Sequence, residues 1–138
     1  MAGDPKELLG QLLGRAFGAN DLSVVDELVS PEYVHHDAPV PVHGPEGFKG
    51  LVGMFRGAFP DLHVDVQDVF SDGDRVGSRG VISGTQQGEF MGVPPTGKPF
   101  TIKYIDLWRI EDGRFTDTWV QMDTLGLMQQ LGALPGAA

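Results

Sequence analysis

Two acidic residues near the C-terminal end of the chain, Asp106 and Asp123, stand among large aromatic side chains. Apolar side chains and Asp106 occupy every second position between 100 and 110, and Trp119 and Asp123 fall on a similar alternation between 115 and 123. In a β-strand, every second side chain points to the same face. A carboxyl group buried among apolar side chains is a stronger base than one in water. The pattern therefore predicts a lined cavity in which carboxylates carry out acid/base chemistry.

The alternation assigns a face of the sheet to each residue of these two strands. The inner face of the first is predicted to carry Phe100, Ile102, Tyr104, Asp106, Trp108 and Ile110. The inner face of the second is predicted to carry Phe115, Asp117, Trp119, Gln121 and Asp123. The outer face then carries the apolar residues Ile105, Leu107, Val120 and Met122. A shift of one residue along a strand would exchange the two faces.

Each carboxylate has a second interpretation. Asp123 immediately precedes a helical pattern, and aspartate is a favoured helix N-cap. It is therefore either an acid/base in the cavity, with Trp119 as its apolar wall, or a cap. Asp106 either shares a proton with a second carboxylate in a dry cavity or pairs with Lys103, Arg109 or a hydroxyl group at the rim of the cavity.

Histidine and tyrosine side chains add candidates for substrate binding. His35 and His36 are adjacent, and adjacent residues of a strand point to opposite faces, so we predict no metal site there. One of them, His35 or His36, either donates a hydrogen bond to a substrate oxygen or is a structural histidine. Tyr33 and Tyr104 either bind a substrate carbonyl or are core residues with one bonded hydroxyl.

The remaining patterns indicate the elements that position these groups. Helical spacing predicts a first helix capped by Asp4, a short second helix capped by Asp21 or Ser23, a third over 44–59 and a last over 124–131. Period-two patterns from residue 62 onward predict strands. The order predicts an α+β fold in one domain, 1–138: a curved antiparallel β-sheet, three N-terminal helices over its concave face and a short C-terminal helix. The predicted cavity residues are Leu12, Phe17, Tyr33, His35, Met54, Phe55, Phe90, Tyr104, Asp106, Trp119, Gln121 and Asp123.

Composition narrows the possible partners. The 138 residues carry a formal net charge of −9, which argues against nucleic acid because phosphate binding needs a basic face. The charge also gives no support to binding an anionic membrane, and no stretch is apolar enough to span a bilayer. There is no cysteine, so neither a disulfide nor thiol chemistry is expected. With no secretory pattern at the N-terminus, we expect a cytoplasmic location.

Several short motifs resemble those of the SnoaL-like polyketide cyclases, members of the nuclear-transport-factor-two-like superfamily of cone-shaped α+β barrels. They are Phe-Pro-Asp at 59–61, Gly-Asp-Arg-Val at 73–76, Gly-Glu-Phe at 88–90, Pro-Pro-Thr-Gly-Lys at 94–98 and Asp-Thr-Leu-Gly-Leu-Met-Gln-Gln-Leu-Gly at 123–132. The resemblance implies an intramolecular aldol cyclisation with no cofactor, in which Asp123 is the acid/base. This sequence departs from the family at two positions where histidine is commoner: it has Asp106 and Gln86.

Two classes of function follow. The first is a cofactor-independent, cyclase-type enzyme that acts on a small apolar, polyketide-like carbonyl compound. Asp123, Asp106 and His35 would be its catalytic residues, and its substrate-binding residues would be Tyr33, Phe55, Gln86, Phe90, Tyr104, Trp119 and Gln121. The second is a non-catalytic protein that binds a small molecule in the same cavity. The apolar outer face of the sheet predicts a homodimer in either case.

Overall fold

The described part of the chain begins with helices, of which the first has its predicted cap, Asp4, while the N-cap of the second is Leu22 and not Asp21 or Ser23. The structure is a computed structural model that describes residues 4–38 and 42–133. Helix α1 (Pro5–Gln11) begins where the Asp4 side chain accepts a hydrogen bond from the Lys6 backbone N–H. It continues as a π-helical segment, Leu12–Gly18. Before helix α2 (Ser23–Leu28), Asp21 accepts from the Ser23 backbone N–H.

A six-stranded sheet forms the other layer. Its strands are β1 (Val29–His35), β2 (Val42–His43), β3 (His63–Asp72), β4 (Arg75–Thr85), β5 (Pro99–Glu111) and β6 (Arg114–Met122). Their order across the sheet is β2-β1-β6-β5-β4-β3. The fold is therefore α+β with a curved sheet, as predicted.

One strand pair corrects the prediction of an antiparallel sheet. Strands β3 to β6 form an antiparallel meander, and β1 then pairs with β6 in parallel. Parallel neighbours need a long connection, and here a helix over Gly44–Ala58 and the whole meander lie between the two strands. The pairing places the turn after β1, which carries His36 and Asp37, beside β6.

Two further helices close over the sheet. Helix α3 (Gly44–Ala58) packs Phe48 and Val52 into a core shared with the N-terminal helices. Helix α4 (Thr124–Gln130) contributes Leu127 to a second core around Phe59 and Phe100. Within residues 4–38 and 42–133, no helix combines the length and the apolar character needed to cross a bilayer.

A β-bulge at Thr116 decides which side chains of β6 face inward. Ile110 lies opposite Phe115, but its neighbour Arg109 lies opposite Asp117, so Thr116 is an extra residue on β6. An extra residue on one strand reverses the facing of every residue beyond it. Phe115 is buried as predicted, but the residues after the bulge exchange faces.

The predicted faces of β6 are therefore wrong after the bulge. Val120 lies opposite Asp106 and Met122 lies opposite Tyr104. Directly opposite residues share a face, so Val120 and Met122 point inward. Trp119 and Gln121, opposite Leu107 and Ile105, lie on the outer face.

Candidate active site

A cavity of about 250 Å³ lies between the helices and the inner face of the sheet. Most of its lining is apolar, as expected of a small-molecule site. The lining includes the predicted residues Phe17, Tyr33, His35, Met54, Phe55, Phe90, Tyr104 and Asp106. Leu12 is fully buried in the core and is not part of the lining.

Asp106 is the buried carboxylate of this cavity, with 7% of its surface exposed. Its Oδ1 accepts two hydrogen bonds from Ser78, one from the backbone N at 2.9 Å and one from Oγ at 2.6 Å. Burial raises the pKa of the Asp106 carboxyl, and the bonds from Ser78 oppose that rise. A hydroxyl group pairs with Asp106 as in the second predicted alternative, but the pair lies inside the cavity and not at its rim.

Ser78 links Asp106 to Tyr104. The Ser78 Oγ lies 3.2 Å from the Tyr104 hydroxyl, and burial raises the pKa of that tyrosine. Ser78 was missed at the sequence level. Pairing the two predicted strands in the correct register would have found it, because Ser78 on β4 lies directly opposite Asp106 on β5.

His35 is half-buried at the cavity, opposite Thr118 on β6. Its Nδ1 accepts a hydrogen bond from the Asp37 backbone N–H at 3.2 Å. Burial lowers the pKa of His35, which favours the neutral ring. A neutral ring that accepts at Nδ1 carries its proton on Nε2, so His35 can donate from Nε2.

Tyr33 and Trp108 border the same cavity and hold buried hydrogen-bond donors. Within the described residues, the Tyr33 hydroxyl has no hydrogen-bond partner, whereas the Trp108 indole N–H lies beside the Asp106 carboxyl and opposes the rise of its pKa. Burial, together with the negative charge of Asp106, raises the pKa of Tyr33 far above its ordinary value. The Tyr33 hydroxyl therefore keeps its proton and remains a donor.

The sequence of this chain matches a known family over almost its whole length. A profile described as SnoaL-like polyketide cyclase matches residues 8–131.

The chain belongs to the SnoaL-like polyketide cyclase family. It is 31% identical to the nogalonic acid methyl ester cyclase of Streptomyces nogalater over 120 residues, which are 85% of this chain and 90% of that protein. The structure of TsrD from Streptomyces laurentii superposes with a TM-score of 0.85 at 35% identity, covering 93% of this chain and 94% of TsrD. IdmH from Streptomyces antibioticus gives a TM-score of 0.80 at 36% identity, covering 94% and 99% of the two chains.

In this member of the SnoaL-like family, Asp123 does not line the cavity. Its side chain is exposed, and Oδ1 accepts from the Gly126 backbone N–H at 2.8 Å. This bond caps α4. Trp119, its predicted apolar wall, instead stacks on His36, with ring centroids 4.6 Å apart. The bulge at Thr116 is the reason, because it places Trp119 on the outer face of the sheet.

Two predicted binding residues have other positions. The exposed Gln121 follows the outward register of β6 and borders both the cavity and a groove on the outer face. Gln86 is fully buried but is not among the lining residues. Its amide accepts from the Thr96 backbone N–H and hydroxyl and donates to the carbonyls of Gly88 and Val93. Gln86 thus holds together the loop that carries Phe90 into the cavity.

Sequence reasoning also missed part of the lining. The lining also includes residues that were not predicted: Val64, Ile82, Thr118, Val120 and Met122. In the two described stretches of the chain, no group of three or more acidic or histidine side chains is close enough to hold a metal ion.

Proposed function

We propose that this protein catalyses an intramolecular aldol-type ring closure of a polyketide-like carbonyl compound, with Asp106 as the acid/base. The observation that carries the proposal is a carboxyl group with a raised pKa inside an apolar cavity. Family membership supports the reaction class. The family description and the name of the Streptomyces nogalater relative together support a polyketide methyl ester as the substrate class.

The proposed reaction needs one group that first takes and then returns a proton. Asp106 removes a proton from a carbon next to a carbonyl, and an enolate forms. The enolate carbon attacks a second carbonyl of the same molecule, so that a carbon–carbon bond closes the ring. The new alkoxide takes the proton back from Asp106. Product and substrate are isomers, and the steps balance without an oxidant or reductant.

The hydrogen bonds of Asp106 suit this role. Both bonds from Ser78 reach Oδ1, so Oδ2 is the oxygen that we propose takes the proton. A raised pKa makes the carboxylate a better base at neutral pH. His35, with a proton on Nε2, can donate to the second carbonyl or to the alkoxide formed there. Phe55 and Phe90, whose rings lie 5.4 Å apart, offer an apolar wall for a flat substrate.

Asp106→Asn tests the assignment. We expect turnover of nogalonic acid methyl ester, the compound named for the relative, to fall about 10²- to 10⁴-fold, as for loss of a general acid/base. Because Asn can still accept from Ser78 and carries no buried charge, the variant should be at least as thermally stable as the parent at pH 7. Asp68→Asn is the matched control, since Asp68 is exposed on the opposite face of the same sheet.

Two results would contradict the proposal. The first is turnover by Asp106→Asn within about threefold of the parent, a difference too small for the loss of an acid/base. The second is a parent protein that binds the ester but never converts it, which would favour the non-catalytic binding protein.

We also propose a homodimer formed through the outer face of the sheet. Phe70, Leu107 and Trp119 lie in one row across it, with Gly77 between Phe70 and Leu107. Phe70 is 63% exposed, and Ile105, two residues before Leu107 on β5, is 56% exposed. Arg79 and Asp68, joined by a salt bridge, lie in the row of Ile105. An apolar patch with a polar border is typical of a protein–protein interface.

A further inference from the structure

A tight turn beside the cavity holds a methionine in a backbone conformation that does not suit it. Phe90 and Val93 close a two-residue hairpin, because the backbone N–H of each donates to the carbonyl of the other, at 3.0 and 2.8 Å. The two residues between them have positive φ, 48° for Met91 and 82° for Gly92. This is a type I′ turn, which favours asparagine and glycine and strains a bulky side chain. Turn preference therefore does not explain the methionine.

The rest of the loop holds this turn in place without the Met91 side chain. The Gln86 amide donates to the Val93 carbonyl at 3.0 Å. Phe90 is buried and packs against Phe59, with ring centroids 5.0 Å apart. Met91 itself is 49% exposed. Backbone strain persists where the surrounding structure compensates for it, and such strain is concentrated at active sites and ligand sites.

Met91 lies at the mouth of the cavity. The mouth is defined by the lining residues that are also exposed: Asp37, Met54, Met91, Gln121 and Thr124. Phe55, next to Met54 on α3, has its ring 5.4 Å from that of Phe90, so the two methionines come from neighbouring segments of the wall. Methionine is unbranched and polarisable, and it makes favourable contacts with aromatic rings. This side of the mouth therefore suits an apolar, aromatic ligand surface.

The size of the cavity brings a large ligand to this mouth. Its volume is about 250 Å³, which is below the roughly 300–1,000 Å³ of sites that hold drug-sized ligands. A compound with several fused rings therefore extends from the inner end of the cavity to the mouth, whereas a smaller compound lies within the cavity.

We propose that Met91 is a specificity-determining residue whose thioether side chain covers the outer end of a flat, multi-ring ligand. Contact with the ligand is the reason for a methionine in a turn that favours asparagine. The site thus prefers apolar ligands long enough to reach the mouth. This inference rests on the proposed function for the identity of the natural ligand, but not for the preference for ligand length.

Met91→Asn tests the proposal, because Asn-Gly is a favoured pair for this turn and asparagine removes the apolar cover. The probes are 2-(hydroxymethyl)anthracene, with three fused rings, and 2-(hydroxymethyl)naphthalene, with two, and both are neutral and fluorescent. We expect the variant to bind the three-ring probe about fivefold more weakly than the parent, as for loss of a partly buried methionine contact. Its affinity for the two-ring probe should change less than about twofold.

Stability and a conservative variant complete the test. The melting temperature of Met91→Asn should be equal to or above that of the parent, because the favoured turn residue offsets the packing that is lost. Met91→Leu keeps an apolar side chain in the same strained turn, so it should retain most of the affinity for the three-ring probe. With nogalonic acid methyl ester, Met91→Asn should raise KM more than it lowers kcat, since Met91 binds the ligand and takes no part in proton transfer.

Four results would overturn this assignment. They are a parent that does not prefer the three-ring probe, unchanged binding of both probes by Met91→Asn, equal weakening of both, and a lower melting temperature of that variant. The last would mean that the fold itself requires the methionine.

The outcomes also separate this inference from the proposed function. If the selective loss is found but the parent never converts the ester, the preference for ligand length stands and the cyclase proposal fails. If the ester is converted and Met91→Asn binds both probes like the parent, the cyclase stands and the role of Met91 fails.

Discussion

At the scale of single residues, Asp106 is acted on by two opposing effects. Burial disfavours its charged form, while the two hydrogen bonds from Ser78 favour it. The balance leaves the pKa raised, so the carboxyl is a better base but is still ionised when the pH is above that pKa. Ser78 is therefore a positioning residue that adjusts the basicity of Asp106.

We expect kcat/KM to rise with pH as Asp106 loses its proton, because the proposed base must be ionised in the free enzyme. Ser78→Ala removes the Oγ bond that stabilises the carboxylate, so the acidic limb of the pH–rate curve should move to higher pH. Ser83→Ala on the opposite face of β4 should leave the limb in place. A limb that does not move in Ser78→Ala would mean that this bond does not adjust the base.

The raised pKa also has a consequence for stability. The folded protein holds the Asp106 proton more tightly than the unfolded chain does, so this group lowers the free energy of unfolding as pH rises from the unfolded pKa to the folded pKa. Asp106→Asn removes that contribution. This is why the variant is expected to lose turnover without losing stability at neutral pH.

Asp123 is expected to act on stability and not on turnover. Asp123→Ala should reduce the free energy of unfolding by about 0.5–2 kcal/mol, the usual effect of removing an N-cap. Asp123→Asn keeps a capping side chain and should restore most of that loss. Denaturant unfolding measures both variants. A large loss of turnover in Asp123→Asn, with stability retained, would return the acid/base role to Asp123.

At the scale of the elements, the sequence patterns predicted those features of helices and strands that depend only on residues close together in the chain. The cap Asp4 and the alternation of β5 are as predicted, because each depends only on neighbouring residues. The inner face of β6 could not be found this way. The segment from Thr116 to Thr118 is polar throughout, so nothing in it marks Thr116 as the extra residue. Only pairing with β5 shows where the facing reverses.

The parallel pairing of β1 with β6 was also beyond local reasoning. It joins residues about 80 positions apart, such as His36 and Asp117, whose side chains are 2.9 Å apart. The same pairing places His35 at the cavity and positions Tyr33. The candidate residues from the N-terminal half were thus predicted by type, while their meeting with Asp106 depends on long-range topology.

The loop from Gln86 to Lys98 offers a test at this scale. Gln86→Ala removes a fully buried amide together with its hydrogen bonds to Gly88, Val93 and Thr96. We expect the free energy of unfolding to fall by about 1–3 kcal/mol and KM to rise, since the loop positions Phe90. The neighbouring exposed residue gives the control Gln87→Ala, which should change neither quantity. An equal effect of the two substitutions would contradict a specific role for Gln86.

At the scale of the whole molecule, the two faces of the sheet have separate roles. The inner face holds the carboxyl, the hydroxyls and the apolar lining, and the outer face carries Phe70, Ile105 and a network of charged residues. Substitutions on the outer face should therefore alter association and leave the chemistry intact.

Ile105→Asp should convert the proposed dimer to a monomer in sedimentation velocity, because it replaces an exposed apolar side chain of the proposed interface with a charge. Leu22→Asp, on the helical side of the molecule, is the matched control and should sediment like the parent. A parent protein that is monomeric at every concentration, or an Ile105→Asp variant that remains dimeric, would contradict this interface.

The extra residue in β6 also suggests how such a protein could acquire new chemistry during evolution. Loss of the single codon for Thr116 would restore regular pairing and turn the rest of the strand over. Trp119 and Gln121 would then enter the interior together, and Val120 and Met122 would leave it. Insertions and deletions at this point can thus exchange a whole set of interior groups in one event, which point mutations would have to replace one at a time.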